Sequence, residues 1–339
     1  MARQEKRAGR KAAGAGSAAR GSEGEELGRR LREGDRSAAP AALNLIEDRS
    51  PGARERCTAL VAEVSPVAVG GEAPAHLIGV TGPPGAGKST LLSALVREWR
   101  EGDRTVAVLA VDPSSKRSGG SLLGDRVRIE HDPKDDGVLI RSTAAGGRLG
   151  GLAAPTREAA TALAPAFDVV VVETVGVGQS ETDVEELCDT VAVVVQPGSG
   201  DTLQFLKAGI MEVPDVLVVT KADLGDVARR ARRDLEQALR ALGSPATPVL
   251  SVSSVLPPIG IDELIEALDA HRESLDLPAT RLRARRLSAL AEFTAERGQG
   301  ALRALGGRRD AERFLADQRP DADVPALVAA LEAKVGLRA

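Results

Sequence analysis

The run Gly82-Pro83-Pro84-Gly85-Ala86-Gly87-Lys88-Ser89 constrains this chain more than any other feature. It satisfies the pattern G-x-x-x-x-G-K-[ST] at every defined position. Its flanks also satisfy the structural context the pattern needs. An apolar run, His76-Leu77-Ile78-Gly79-Val80, precedes it, and a helical stripe of Leu91, Leu92, Leu95, Val96 and Trp99 comes after it. A loop of this kind turns backbone N–H groups inward around phosphate oxygens, at the positive end of a helix. Gly82, Pro83, Pro84, Gly85, Ala86, Gly87, Lys88, Ser89 and the next residue, Thr90, are therefore candidate nucleotide-binding residues. Lys88 is expected on the solvent side of the cradle, reaching the β/γ-phosphates, and the Ser89 hydroxyl is expected to bind Mg²⁺. A glycine-rich turn with a chance Lys-Ser is the blander reading and the weaker one.

Beyond the loop the chain has a regular rhythm. Short apolar runs recur at Leu77–Thr81, Thr105–Asp112, Val138–Arg141, Asp168–Glu173, Thr190–Val195, Val216–Thr220 and Val249–Val252, with helical stretches between them. Most are continuous Val, Leu and Ile rather than alternating, which marks strands covered on both faces. The expected fold is α/β: a mostly parallel central sheet flanked by helices. Aromatic residues make up only 1% and Tyr is absent, so aliphatic side chains must fill the core.

The ends of the chain read differently. Residues 1–22 are rich in Ala, Gly, Lys and Arg, with almost no large apolar side chain, and are expected to be a disordered basic tail. No amphipathic face accompanies Arg3, Lys6, Arg7, Arg10 and Lys11, which argues against a transit peptide. Residues 23–74 read as an N-terminal helical extension with breaks near Gly34-Asp35 and Ser50-Pro51-Gly52. Residues 75–272 carry the strands. From 273 to 339, after a break at Leu277-Pro278, two or three helices are expected.

Charge and cysteine usage narrow the partners. Lys and Arg number 45 against 49 Asp and Glu, a net charge of −4, which favours neither nucleic acid nor an anionic membrane. The basic run Arg281, Arg283, Arg285, Arg286 lacks interleaved aromatics and reads as a solvated helix face. No run reaches membrane-spanning length. Cys57 and Cys188 stand far apart and suit a reducing, cytoplasmic setting.

Two further elements carry chemistry. In Val170-Val171-Val172-Glu173-Thr174-Val175-Gly176 a hydrophobic strand ends in an acid, with a glycine three residues on. An acid so placed downstream of a phosphate loop holds Mg²⁺, usually through water, and the glycine N–H can sense a γ-phosphate. In Thr220-Lys221-Ala222-Asp223 the carboxylate of Asp223 can accept from guanine N1–H and N2–H₂ together. Adenine offers neither donor and would leave the charge desolvated and unpaired. Lys221 would lie along the base face. After the last strand, Ser254, Val255 and Leu256 stand where a backbone N–H commonly meets guanine O6.

The order phosphate loop, E-x-x-G, T-K-x-D, S-x-L resembles the metallochaperone class of P-loop GTPases, and within it the MeaB/ArgK type. Those are the GTPase chaperones of adenosylcobalamin-dependent methylmalonyl-CoA mutase. The likeness runs from about residue 24 to 272. It is most specific in Ala110–Ser115, Gly119–Arg126, Glu173–Glu181 and Gln196–Asp201 continuing to Lys207–Glu212.

This resemblance implies a slow GTPase that uses GTP/GDP and Mg²⁺ and gates cofactor loading onto an adenosylcobalamin-dependent acyl-CoA mutase. It also implies a homodimer formed through the C-terminal helical arm. It gives Asp112 and Asp125 places near the metal and γ-phosphate, beside Lys88, Glu173 and Gly176. It makes Gly198–Lys207 a segment that communicates with the mutase, with Gln204 and Lys207 as its messengers. Two departures stand out: Thr220 replaces the more usual Asn, and Val177 comes after Gly176 where signalling GTPases often place a water-orienting Gln. Without such a group or an arginine finger, intrinsic turnover should be slow, and an external stabiliser can add ~10³–10⁵ in rate. The competing readings are a metal-insertion GTPase of the hydrogenase or urease type, and an ATP-dependent kinase linked to amino-acid transport.

Overall fold

The computed structural model describes residues 23–112, 129–144, 154–174, 184–198 and 214–336. The apolar runs form one seven-stranded sheet. Its strands are β1 (His76–Thr81), β2 (Val106–Asp112), β3 (Val138–Ala144), β4 (Val169–Glu173), β5 (Thr190–Val195), β6 (Val216–Val219) and β7 (Val249–Ser251). Every pairing is parallel, in the order β3-β2-β4-β1-β5-β6-β7. The sheet is thus wholly rather than mostly parallel. β3 runs past Arg141 to Ala144, because backbone pairing with β2 continues where the side chains turn polar.

Continuous burial explains the continuous apolar runs. Every residue of β1, β4, β5 and β6 is buried. The helix Lys88–Glu101 lays Leu91, Leu92, Leu95, Val96 and Trp99 onto one side, against Ile78, Val80, Val108 and Val194. β1 lies between β4 and β5. The strands on one side of it are β4, β2 and β3, and on the other β5, β6 and β7. It therefore marks the switch point where open α/β sheets bind ligands beyond their carboxyl ends. The loop that leaves β1 at that edge is Gly82–Gly87.

The chain divides into two compact units. The sheet and its helices occupy Ala75–Thr156 and Phe167–Arg285. The other unit combines Met1–Pro74, Arg157–Ala166 and Arg286–Ala339. Its N-terminal helices cover 23–32, Ala39–Glu47 and Ala53–Glu63, and its C-terminal part holds the helical stretch Leu277–Ala304, kinked at Gly298 and shared with the first unit, and the helices Arg308–Ala316 and Val324–Lys334. Leu290, Phe293, Leu315, Leu327 and Leu331 form a core there. Arg54 ties distant segments of this unit together, donating to Glu158 at 2.5 Å and Glu292 at 2.7 Å. The Cys57 thiol donates to Glu158 at 3.3 Å, and burial, reinforced by that carboxylate, pushes its pKa up to about 12.

The expected break at Leu277-Pro278 is instead the start of the long helix. Proline costs nothing in a first turn, where its missing N–H has no partner to lose. Asp276 accepts the N–H of Ala279 and caps it. The basic run also differs from its expectation. Arg281 is buried, with two bonds to Asp189 at 2.9 and 2.7 Å and one to the Ala75 carbonyl at 2.6 Å. Asp189 also accepts from Leu77 N–H, so a buried ion pair closes the amino edge of β1.

Candidate functional site

Gly82 leaves β1 with φ of +141°, and a Cβ there would fall 2.0 Å from the Val194 carbonyl oxygen. Only glycine lets the loop lie this close to β5. Gly87, at φ +93°, begins the helix Lys88–Glu101, whose first turn carries no acid. The positive end of that helix is left to an anion. Pro84 and Gly85 form the exposed tip, Ala86 is buried, and Thr90 is exposed in the first turn.

Lys88 is buried rather than solvent-side: it is 7% exposed. Its ammonium donates to the Gly82 carbonyl at 2.7 Å and the Pro83 carbonyl at 3.3 Å. The loop thus curls around a cation held on its own carbonyls. Burial comes from the position, since the side chain starts at the first residue of a helix packed on the sheet.

The end of β4 completes this corner. Glu173 is in register with Val80 of β1 and Ala110 of β2, and is 7% exposed. Its carboxylate accepts from the Ser89 hydroxyl at 3.2 Å. Thr174 locks the two strand ends together, donating through N–H to Val80 O at 2.9 Å and through its hydroxyl to Thr81 Oγ1 at 2.9 Å. Asp112 closes β2 at the same edge, in register with Ala144. Asp125, Gly176, Gln204 and Lys207 lie outside the described residues.

The third corner lies just past β6. Buried Thr220 donates from its hydroxyl to Ala86 O at 2.7 Å, inside the phosphate loop. Lys221 takes the left-handed conformation, φ 56°, uncommon for a side chain of its size. Flanking bonds hold it there: Thr220 N–H to Val195 O, and Ala222 N–H to Val252 O. Its ammonium donates to Gln196 Oε1 at 2.6 Å. Asp223 accepts from the Ser253 hydroxyl at 2.7 Å. Val255 N–H turns to the same Ser253 oxygen at 3.3 Å, while Ser254 and Leu256 flank it in the loop after β7.

Those sequence-predicted residues that are described thus lie at one edge of one sheet, at or just past the ends of β1, β2, β4, β6 and β7. Ser253 and Gln196 were not among them. Ser253 stands beside the predicted S-x-L triplet, and its signal is a small hydroxyl closing a strand opposite the T-K-x-D element. Gln196 comes directly after the Val-rich β5, and nothing in its type marks it.

Fold and site together define a P-loop protein of the GTPase class. The chain belongs to the family described as "Methylmalonyl Co-A mutase-associated GTPase MeaB", whose profile matches residues 39–302. Among its relatives, a candidate GTPase of Pyrococcus abyssi is 42% identical over 260 residues, covering 74% of this chain and 77% of the relative. The GTPase ArgK of Escherichia coli is 35% identical over 297 residues, covering 84% and 87%. Among solved structures, the crystal structure of a LAO/AO transport system kinase is similar at a TM-score of 0.64 and 30% identity. That match covers 92% of this chain and 97% of the other.

Proposed function

We propose that this chain is a slow, partner-stimulated GTPase that gates adenosylcobalamin loading onto an acyl-CoA mutase, methylmalonyl-CoA mutase first among the candidates. In this reading residues 75–272 are the G domain, residues 273–339 the arm of a homodimer, and the protein works in the cytoplasm. Membership of the mutase-associated family carries the client assignment. The site supports the chemistry. Asp223, oriented by Ser253, supplies the paired acceptor that guanine needs.

The donor set also fits a hard cation. A Ser89 hydroxyl beside the Glu173 carboxylate is all-oxygen, as Mg²⁺ requires. Ser89 and Glu173 would hold it, with Asp112 from the end of β2 and with Asp125 assigned from the sequence, and when bound it would neutralise charge building on the β- and γ-phosphate oxygens. Lys88 contributes a buried positive charge at the loop, and the helix N-terminus adds its dipole. Charge stabilisation and positioning are the larger part of phosphoryl-transfer catalysis. Gln204 and Lys207 are assigned to communication with the client.

Titration with labelled GTP and ATP, then GTP turnover with and without a purified mutase, tests this reading. Expected are guanine preference and a client-stimulated rate. Equal affinity for ATP and GTP would reject the base assignment and favour the kinase alternative. A mutase that neither binds nor stimulates would reject the client.

A further inference from the structure

Lys221 and Gln196 meet across two neighbouring strands. β5 and β6 pair with Val195 opposite Val219, so Gln196 and Thr220 leave the sheet side by side. One residue further on, the Lys221 ammonium reaches back to Gln196 Oε1 at 2.6 Å. Lys221 stands between Thr220, bonded to the phosphate loop, and Asp223, the base-reading carboxylate. Its backbone is fixed in a left-handed conformation. Its four-carbon stem is not fixed by the backbone, because a lysine side chain carries large rotamer freedom. The contact with Gln196 is what fixes the far end.

The acceptor's chemistry suits that task. A side-chain oxygen at this reach accepts from the ammonium and anchors it, whether it belongs to an amide or a carboxylate. A second contact involves the same stretch of chain. A Cβ on Gly198 would lie 3.7 Å from Val227 Cγ1, which places the Gly198 backbone against the start of the helix Asp226–Ala241. Gln196 therefore bonds Lys221 on one side of Asp223, and Gly198 lies close enough to Val227 on the other that an added methyl group would meet it.

We infer that Gln196 is a positioning residue of the guanine site: it holds the Lys221 side chain in place along the base and so links the exit of β5 to the rate of nucleotide release. The inference rests on the guanine-nucleotide reading above. A displacement of Gln196–Gly198 frees the Lys221 stem, and nucleotide then leaves faster.

The test is dissociation of fluorescently labelled GDP from the full chain carrying Gln196→Ala, Lys221→Ala, both changes, or Gln196→Glu. Loss of the bond in Gln196→Ala should speed release about 3- to 10-fold, the range for one ordinary hydrogen bond. The double variant should release GDP no faster than Lys221→Ala alone, because Gln196 acts only through that lysine. Gln196→Glu keeps an acceptor at the same reach and should release GDP at nearly the parent rate. Parent-like release from Gln196→Ala would overturn the inference, and so would full additivity or an equally fast Gln196→Glu. A parent protein that binds no labelled guanine nucleotide would instead sink the functional reading itself.

Discussion

The hydroxyl of Thr220 donates to the carbonyl of Ala86 across 2.7 Å, and so joins the Thr220–Asp223 segment to the glycine-rich loop after β1. The same hydroxyl lies 3.2 Å from Val195 O at the end of β5. The Thr220 hydroxyl thus sits where the segment after β6, the glycine-rich loop and the end of β5 meet. Val195 O also accepts the Thr220 N–H, so the oxygen that depends on the hydroxyl is Ala86 O, in the buried floor of the site, where an acceptor without a partner is costly.

Thr220→Val keeps the shape and removes the bond. The expected loss is about 1–3 kcal/mol, shared between fold stability and nucleotide affinity. Urea midpoints and GDP release rates measure the two shares. Thr220→Ser should match the parent in both. Unchanged midpoint and release in Thr220→Val would show that the contact carries no weight.

Lys88→Ala and Glu173→Gln separate nucleotide from metal. Lys88→Ala removes the buried cation around which the loop curls, and should abolish triphosphate binding in a chain that still folds on its sheet. Glu173→Gln keeps the reach to Ser89 and removes the charge. It should leave GDP binding in EDTA near normal and raise the Mg²⁺ needed for half-maximal turnover about 10- to 100-fold. Equal Mg²⁺ requirements in Glu173→Gln and parent would remove Glu173 from the metal's surroundings.

The buried pair of Arg281 and Asp189 sets stability at the opposite edge of the sheet. Breaking such a pair from one side costs about 3–5 kcal/mol, because the remaining charge is stranded. The two sides are not equivalent here. Arg281→Met leaves Asp189 still accepting from Leu77 N–H, whereas Asp189→Ala strands that N–H and takes the counter-charge from a guanidinium that keeps its bond to the Ala75 carbonyl. Denaturation of the two variants should rank Asp189→Ala as the more damaging, and the reverse order would contradict this bonding.

The strands were readable because β-branched residues come in unbroken runs where both faces of a sheet are covered, as in Val169–Val172. The loop was readable because each of its positions has its own chemical demand. Contacts between segments were not. Arg281 reads as one cation among several, and only folding brings it to a carboxylate 92 positions away. Lys88 reads as a solvent-facing ligand group, and its burial comes from the helix it begins. Gln196 carries no pattern of its own, since its role depends on the lysine that the neighbouring strand delivers.

Acid should weaken the fold through a buried histidine. His76 opens β1 with no exposed surface, and its Nε2 lies 2.8 Å from Thr190 Oγ1. That hydroxyl also meets His271 Nδ1 at 2.9 Å, and His271 Nε2 faces Asp215 at 3.2 Å. His76 Nδ1 lies 3.5 Å from Asp269, which Arg104 also holds through two bonds. Burial pushes the His76 pKa below its ordinary 6.5, and Arg272 adds to the lowering, while Asp269 and Asp189 pull the other way. The unfolded chain therefore binds this proton more readily than the folded one. The contribution to stability is complete above 6.5 and is lost as pH falls from there through the folded value. Urea midpoints taken between about pH 7.5 and pH 5.5 should fall with acid in the parent, since this is the range in which imidazoles titrate. In His76→Gln, which retains a donor for Thr190 but cannot take up a proton, the decline should be shallower. Parallel profiles for the two proteins would place the acid sensitivity elsewhere.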